Sequence, residues 1–179
     1  MHTLRAKTVH LTLVGEQDAA FICTLRGNEE LNRYLSATEC SVDAQKQWIR
    51  NYKTREKNQE EYYFIIRRNQ DQLPIGTVRA YDFQKNPPSF CWGSWILNED
   101  KTQSAALESA LLIYRFGFQE LGFEQSHFDV RKGNQKVHSF HLKMGAEKIG
   151  EDADNIYYIL TEKQNRANQN TYLKFLTES

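Results

Sequence analysis

Ser89-Phe90-Cys91-Trp92-Gly93-Ser94-Trp95-Ile96-Leu97 is the stretch on which the reading of this chain turns. It is dense in strand-forming residues and holds one glycine, the sign of a bulge or of a ligand's close approach within a strand. A polar run, Asn98 to Gln103, leads from it into a helix-patterned segment from Ser104 to Leu121 that is apolar around most of its surface and is closed by Gly122. Ser126 to Val130 is the next strand, and Asn134 to Lys143 a shorter helix. Two strands and two helices in this order offer a gap for an extended ligand arm and a helix start for its phosphates.

Working outward, Ile75 to Phe83 and Tyr62 to Ile66 read as strands joined through the turn-rich Asn69 to Pro74, and Asn86-Pro87-Pro88 forces a break before Ser89. The centre is therefore expected to be an antiparallel meander. Upstream, Val9 to Val14 reads as a strand, Gln17 to Arg26 as a helix, and Ala44 to Lys57 as a second helix with cap chemistry at Ser41 and Asp43. Downstream come a strand fragment at Ala146 to Ile149, a strand at Ile156 to Leu160 and a polar tail. The expected fold is α/β (α+β): a mixed, mostly antiparallel sheet with helices on both faces, to which the family resemblance given below adds two splayed strands that open near Gly93. A single domain over 1–179 is expected, with its core at about 9–162.

Bulk properties narrow the function. Lys plus Arg and Asp plus Glu each number 23, so no global field gathers nucleic acid or anionic membrane. No segment approaches the roughly 18 apolar residues of a membrane span. Cys23, Cys40 and Cys91 are widely spaced and odd in number, which argues against a disulfide framework or a structural zinc site and suits a reducing cytoplasm. His138 and His141 stand at i, i+3 with no third ligand at metal-binding spacing, so no metal is expected.

The order of elements, with Leu25-Arg26-Gly27-Asn28, Tyr34, Gln47-Trp48-Ile49 and the Asn134, His141, Gly145 register, resembles the GCN5-related N-acetyltransferase family from Val9 to Leu160. The nearest branch is that of the ribosomal-protein and amino-sugar acetyltransferases. The resemblance implies acetyl-CoA as co-substrate and a primary amine as acceptor. Trp95, Ile96 and Leu97 would lend backbone to the cofactor arm, with an N–H near Trp95 or Ile96 polarising the thioester carbonyl. Thr102, Ser104, Ala105 and Ala106 would receive the pyrophosphate, although the family's glycines are absent from this turn. Asn134 would bind the cofactor arm or simply cap its helix. His141, where relatives place a tyrosine, would exchange a proton at near-neutral pKa as the leading catalytic candidate.

On the acceptor side Arg26, Tyr34, Trp48, Arg79 and Tyr81 offer cations and stacking faces for a nucleotide or sugar. The base is left open among Asp82, Glu39 and Asp129. Cys91 has no partner base, so direct transfer in a ternary complex is expected rather than an acyl-enzyme. The expected acceptor is a small amine, foremost an amino sugar on a nucleotide. A ribosomal-protein N-terminus and a non-catalytic CoA-binding relative are the alternatives, and the protein is expected to be a monomer or homodimer.

Overall fold

A computed structural model of the protein describes residues 4–31, 33 and 40–176. Seven strands form one sheet in the order β1-β2-β3-β4-β5-β7-β6: β1 (Val9–Leu13), β2 (Tyr62–Arg68), β3 (Pro74–Lys85), β4 (Pro88–Leu97), β5 (Gln125–Arg131), β6 (Glu147–Glu151) and β7 (Asn155–Thr161). Every neighbouring pair is antiparallel except β4 and β5, which are parallel. The meander of β2, β3 and β4 is as expected from the three apolar runs and the turns between them.

Alternation along β2 assigns the two faces. Tyr63 and Ile65 point to α1 (Ala19–Arg26) and α2 (Val42–Lys57), where Ile22, Ile49 and Tyr52 complete a small core. Tyr62, Phe64 and Ile66 point to the larger core beneath α3 (Ala105–Arg115). Ser41 caps α2 by accepting the Ala44 amide at 3.1 Å. Glu108, fully buried in the first turn of α3, accepts from the amides of Thr8 (2.7 Å) and Val9 (3.0 Å) and from the Ser104 hydroxyl (2.6 Å). One carboxylate thus fixes α3 against the start of β1.

The helix expected to run to Leu121 changes form on the way, since Phe116 to Glu120 make a five-residue π turn. Gly122 follows at φ +74°, the left-handed conformation that suits a residue without a Cβ. Gly117 in this turn lies so close to the Phe90 ring that an added Cβ would stand 2.2 Å from it.

Two expectations are corrected. The polar tail is a helix, α5 (Glu162–Leu176), which joins the main core through Tyr172, Phe175 and Leu176 while Leu173 is exposed; so few apolar residues make too sparse a pattern to stand out in a run of Asn, Gln and Lys. Cys23 and Cys40 form a disulfide with their Cα atoms 5.2 Å apart. Spacing rules test for frameworks and metal motifs, and neither describes two cysteines brought together by the packing of α1 against α2. Cys91 is free and buried. Among the described residues, no helix is long and apolar enough to cross a membrane.

Candidate active site

The sheet is divided at β4 and β5. Only Ser89 with Gln125 and Phe90 with Ser126 pair across this seam, after which the strands part. Parting begins before Gly93, the position expected from sequence, and two bulges accompany it. On β4, Gly93 pairs with Arg79 and Ile96 with Thr77, so β4 carries one extra residue; Ser94 takes φ +46° and its carbonyl accepts from Thr77 Oγ1 at 2.8 Å. On β3, the step from Tyr81 to Gln84 spans only Cys91 to Ser89 on β4, with Asp82 at φ +51°. Bulges add local twist and re-aim their strands, and here they flank the point of parting.

The gap is a cleft of about 360 Å³. Cys91 to Trp95 form one wall and Phe128 to Arg131 the other, and α4 (Gln135–Lys143) closes it with Val137 and His141 beside Asn134. Beyond Phe90, β4 has no ladder partner on this side, so its backbone faces the space. Trp95 is anchored through its indole N–H to Ser109 Oγ at 3.1 Å. Asn134 precedes α4, and its side chain makes no capping hydrogen bond.

His141 is 4% exposed, held between Phe128 at a ring separation of 4.2 Å and Trp92 at 5.4 Å, and its Nδ1 has no hydrogen-bond partner among the described residues. Burial, assisted by the nearby His138, lowers its pKa to about 3. The near-neutral imidazole expected from sequence is thus corrected: at physiological pH this ring is uncharged, because the aromatic walls around it disfavour the charged form. Both nitrogens of His138 are engaged, Nδ1 with Tyr158 Oη at 2.8 Å and Nε2 with the Arg131 carbonyl at 2.9 Å. Among the described residues, no cluster of three or more metal-ligating side chains occurs.

A second cavity of about 240 Å³ lies toward α1 and α2, lined by Arg26, Gln45, Trp48, Tyr63, Arg79 and Ser94. Ser94 lines both spaces, so the bulge is their shared wall. The Arg79 guanidinium lies over the Tyr81 ring at 4.8 Å and the Trp48 ring at 5.6 Å, and it donates to the buried Glu61 carboxylate, which also binds Arg55. Tyr81 lines the first cleft. Its phenol is pushed up chiefly by burial, and burial likewise raises the Cys91 thiol to about 11, leaving a protonated thiol that is a poor nucleophile at neutral pH.

Of the expected cofactor residues, Trp95 and Asn134 line the cleft, whereas the Ile96 and Ala105 side chains are buried in the core and Leu97 packs against it. Thr102 and Ser104 stand at the start of α3, Ser104 at its N-cap position, with hydroxyls that already have protein partners: Thr102 meets Thr8 Oγ1 at 2.6 Å and Ser104 donates to Glu108. Ala106, in the first turn of α3, is half-buried. Arg26, Trp48 and Arg79 come together as expected, while Tyr34 and Glu39 lie outside the described residues. Asp129 lines the cleft and forms no hydrogen bond or ion pair among the described residues, whereas Asp82 is engaged by His127 at 2.9 Å. Sequence reasoning missed Ser94, whose left-handed backbone has no compositional signature, and His127, which looked like one more strand residue.

A family model described as an acetyltransferase (GNAT) domain matches residues 9–147. The solved structure of FdhC, described as a nucleotide-linked sugar GNAT, is similar over 98% of each chain, with 63% identity and a TM-score of 0.92. A putative ribosomal-protein-serine acetyltransferase from Vibrio cholerae shares 18% identity at a TM-score of 0.75 over 89% of this chain and 97% of its own. Spermidine N-acetyltransferase from Vibrio cholerae, solved with CoA and spermine, shares 17% at 0.75 over 88% and 98%. Among curated proteins there is no match to the chain. With the model spanning most of its length and a cleft opening between β4 and β5, the chain belongs to the GNAT acetyltransferase family.

Proposed function

We propose that the protein transfers the acetyl group of acetyl-CoA to the primary amine of a sugar carried on a nucleotide. The observation that carries this reading is the adjacency, on either side of Ser94, of two unlike spaces: a cleft walled by unpaired strand backbone, and a pocket lined by two arginines and two aromatic rings. The first fits an amide-bearing arm that hydrogen-bonds like an added strand, with the free Asn134 side chain and the unpartnered His141 Nδ1 as further polar contacts. The second suits a planar, anionic group, for which an arginine stacked on rings is well matched. The nucleotide-linked sugar GNAT at 63% identity supports the acceptor class.

Acetyl-CoA supplies the activated thioester. Asp129, across the opening from Gly93 and free of partners among the described residues, takes one proton from the acceptor ammonium. The amine then attacks the thioester carbonyl carbon. A backbone N–H at the β4 bulge stabilises the oxyanion, the C–S bond breaks, and the second amine proton leaves with the sulfur. His141, uncharged at neutral pH, contributes a hydrogen-bonding wall and is not the store of the proton.

A thermal-shift titration followed by a turnover panel tests this. Acetyl-CoA is expected to raise the melting temperature, since a ligand that binds only the folded state stabilises it by mass action. Nucleotide-linked amino sugars are expected to exceed polyamines, amino acids and peptides in kcat/KM by roughly 100-fold or more, about 3 kcal/mol of discrimination by buried polar contacts. A peptide N-terminus turned over in preference to every sugar nucleotide would replace the acceptor assignment with the ribosomal-protein one.

A further inference from the structure

His127 has no part in the chemistry above, yet its ring holds together three strands at the point where the cleft begins. Its Nδ1 lies 2.5 Å from Ser89 Oγ on β4, and its Nε2 lies 2.9 Å from Asp82 Oδ2 on β3. A carboxylate only accepts, so Nε2 carries the hydrogen, and in the uncharged ring Nδ1 accepts from the Ser89 hydroxyl. The Gln84 amide nitrogen, 3.2 Å from the ring and 3.3 Å from Asp82 Oδ2, gives its hydrogen to the carboxylate. Ser89 is fully buried, which removes it as a nucleophile: no electrophile reaches a hydroxyl with no exposed surface. The Ser-His-Asp composition is therefore mechanical in this chain.

We propose that His127 is a positioning residue for the cofactor, a pin that sets where β4 and β5 part and so the width of the cleft. Three observations converge on it. The seam it crosses has only the pairs Ser89 with Gln125 and Phe90 with Ser126, so a side-chain link across it is a large share of what joins the strands. The β3 bulge holds Asp82 at φ +51°, a conformation that costs free energy for a residue with a Cβ and that points its carboxylate at His127. Ser89 and His127 lie two residues before the cleft-lining Cys91 and Asp129, on the same strands and, by alternation, the same face. A change of hinge angle at the pin therefore moves both walls. The inference rests on the cleft being the CoA site and is independent of which amine is the acceptor.

The test combines His127→Phe, which keeps a ring and removes both hydrogen bonds, with Ser89→Ala and His127→Gln. Wild type and variants are compared by calorimetric titration with CoA and by amide hydrogen exchange over residues 124–128. The expected result for His127→Phe and Ser89→Ala is a CoA Kd raised tenfold or more, exchange in that segment accelerated tenfold or more, and kcat at saturating acetyl-CoA within threefold of wild type. His127→Gln, whose amide retains one donor and one acceptor, is expected to recover most of the affinity. Should His127→Phe not fold, Ser89→Ala decides between the outcomes, since it deletes one buried oxygen and leaves the packing. Wild-type exchange and wild-type CoA affinity in a folded variant would overturn the pin. Failure of wild type itself to bind CoA would instead sink the reading of the cleft, with the exchange rates still judging the pin.

Discussion

The two halves of the sheet solve opposite problems. From β1 to β4 the ladders are long, the faces are covered by α1, α2 and α3, and the central buried carboxylate, Glu108, has protein donors on both oxygens. Around the parting of β4 and β5, by contrast, Ser126 Oγ and His141 Nδ1 are buried with no hydrogen-bond partner among the described residues, the buried Trp92 indole N–H and the Tyr114 phenol of α3 have at best each other, and the cleft-lining Asp129 carboxylate has no partner among the described residues. Buried polar groups are normally satisfied, so a concentration of unmet ones beside a cleft marks where the chain has given up stability for a ligand. The carboxylate at the heart of the first half is satisfied by its own neighbours; the polar groups at the parting await something to complete them.

Asp129→Asn should disturb this contrast most strongly. Loss of the proton acceptor is expected to lower kcat/KM for the amine by about 10²–10⁴-fold, on the order of 3–5 kcal/mol in the transition state, with the melting temperature unchanged. Steady-state rates beside a thermal melt check both halves of that statement. Equal loss of rate and stability would mean that the carboxylate belongs to the framework.

Glu108→Ala is the converse experiment in the closed half. It strands the Thr8 and Val9 amides in a buried site, at about 1–3 kcal/mol each, and is expected to cost on the order of 3 kcal/mol in urea denaturation. Glu108→Gln, which keeps an acceptor oxygen, should cost less.

His141 probes the open half through pH. In the folded protein its pKa is held near 3, while in the unfolded chain it returns to about 6.5, so between those values the unfolded state binds the extra proton and stability falls as pH falls. At pH 5 the difference is about 1.5 units, or roughly 2 kcal/mol. His141→Leu is expected to remove that part of the loss between pH 7 and pH 5, measured as the change in unfolding free energy at the two pH values. An unchanged acid sensitivity would show that the ring is protonated or solvated in the fold.

Much of this was legible in the residues. The meander follows from apolar runs separated by Pro-rich and Asn-rich turns, and α2 from Ser41 and its periodic Trp48, Ile49 and Tyr52; for the cleft, the residues offered only Gly93 within a strand, and the family resemblance supplied the rest. Arg26, Trp48 and Arg79 were readable only as cations and stacking faces, since core packing accounts for the aromatic residues equally well; their convergence on one pocket is a tertiary fact. What escaped was set by tertiary contact. The disulfide depends on how two helices pack, the pKa of His141 on the neighbouring rings, and the commitment of Thr102 and Ser104 on partners that pattern alone does not place. The roles at α3 and α4 came from family resemblance; local periodicity says only that helices start there.

Glu108 carries one more implication. Its negative charge stands inside the opening turn of α3, where the helix presents its positive pole, and it partly extinguishes that pole for anything approaching from outside. An anchor for the scaffold is thereby a dimmer for an incoming polyanion. Attraction at this end then falls to side-chain cations, Lys101 and the Arg5, Lys7 and Arg68 that line a hollow with Thr102, and charge worn on the surface is easy for added electrolyte to darken.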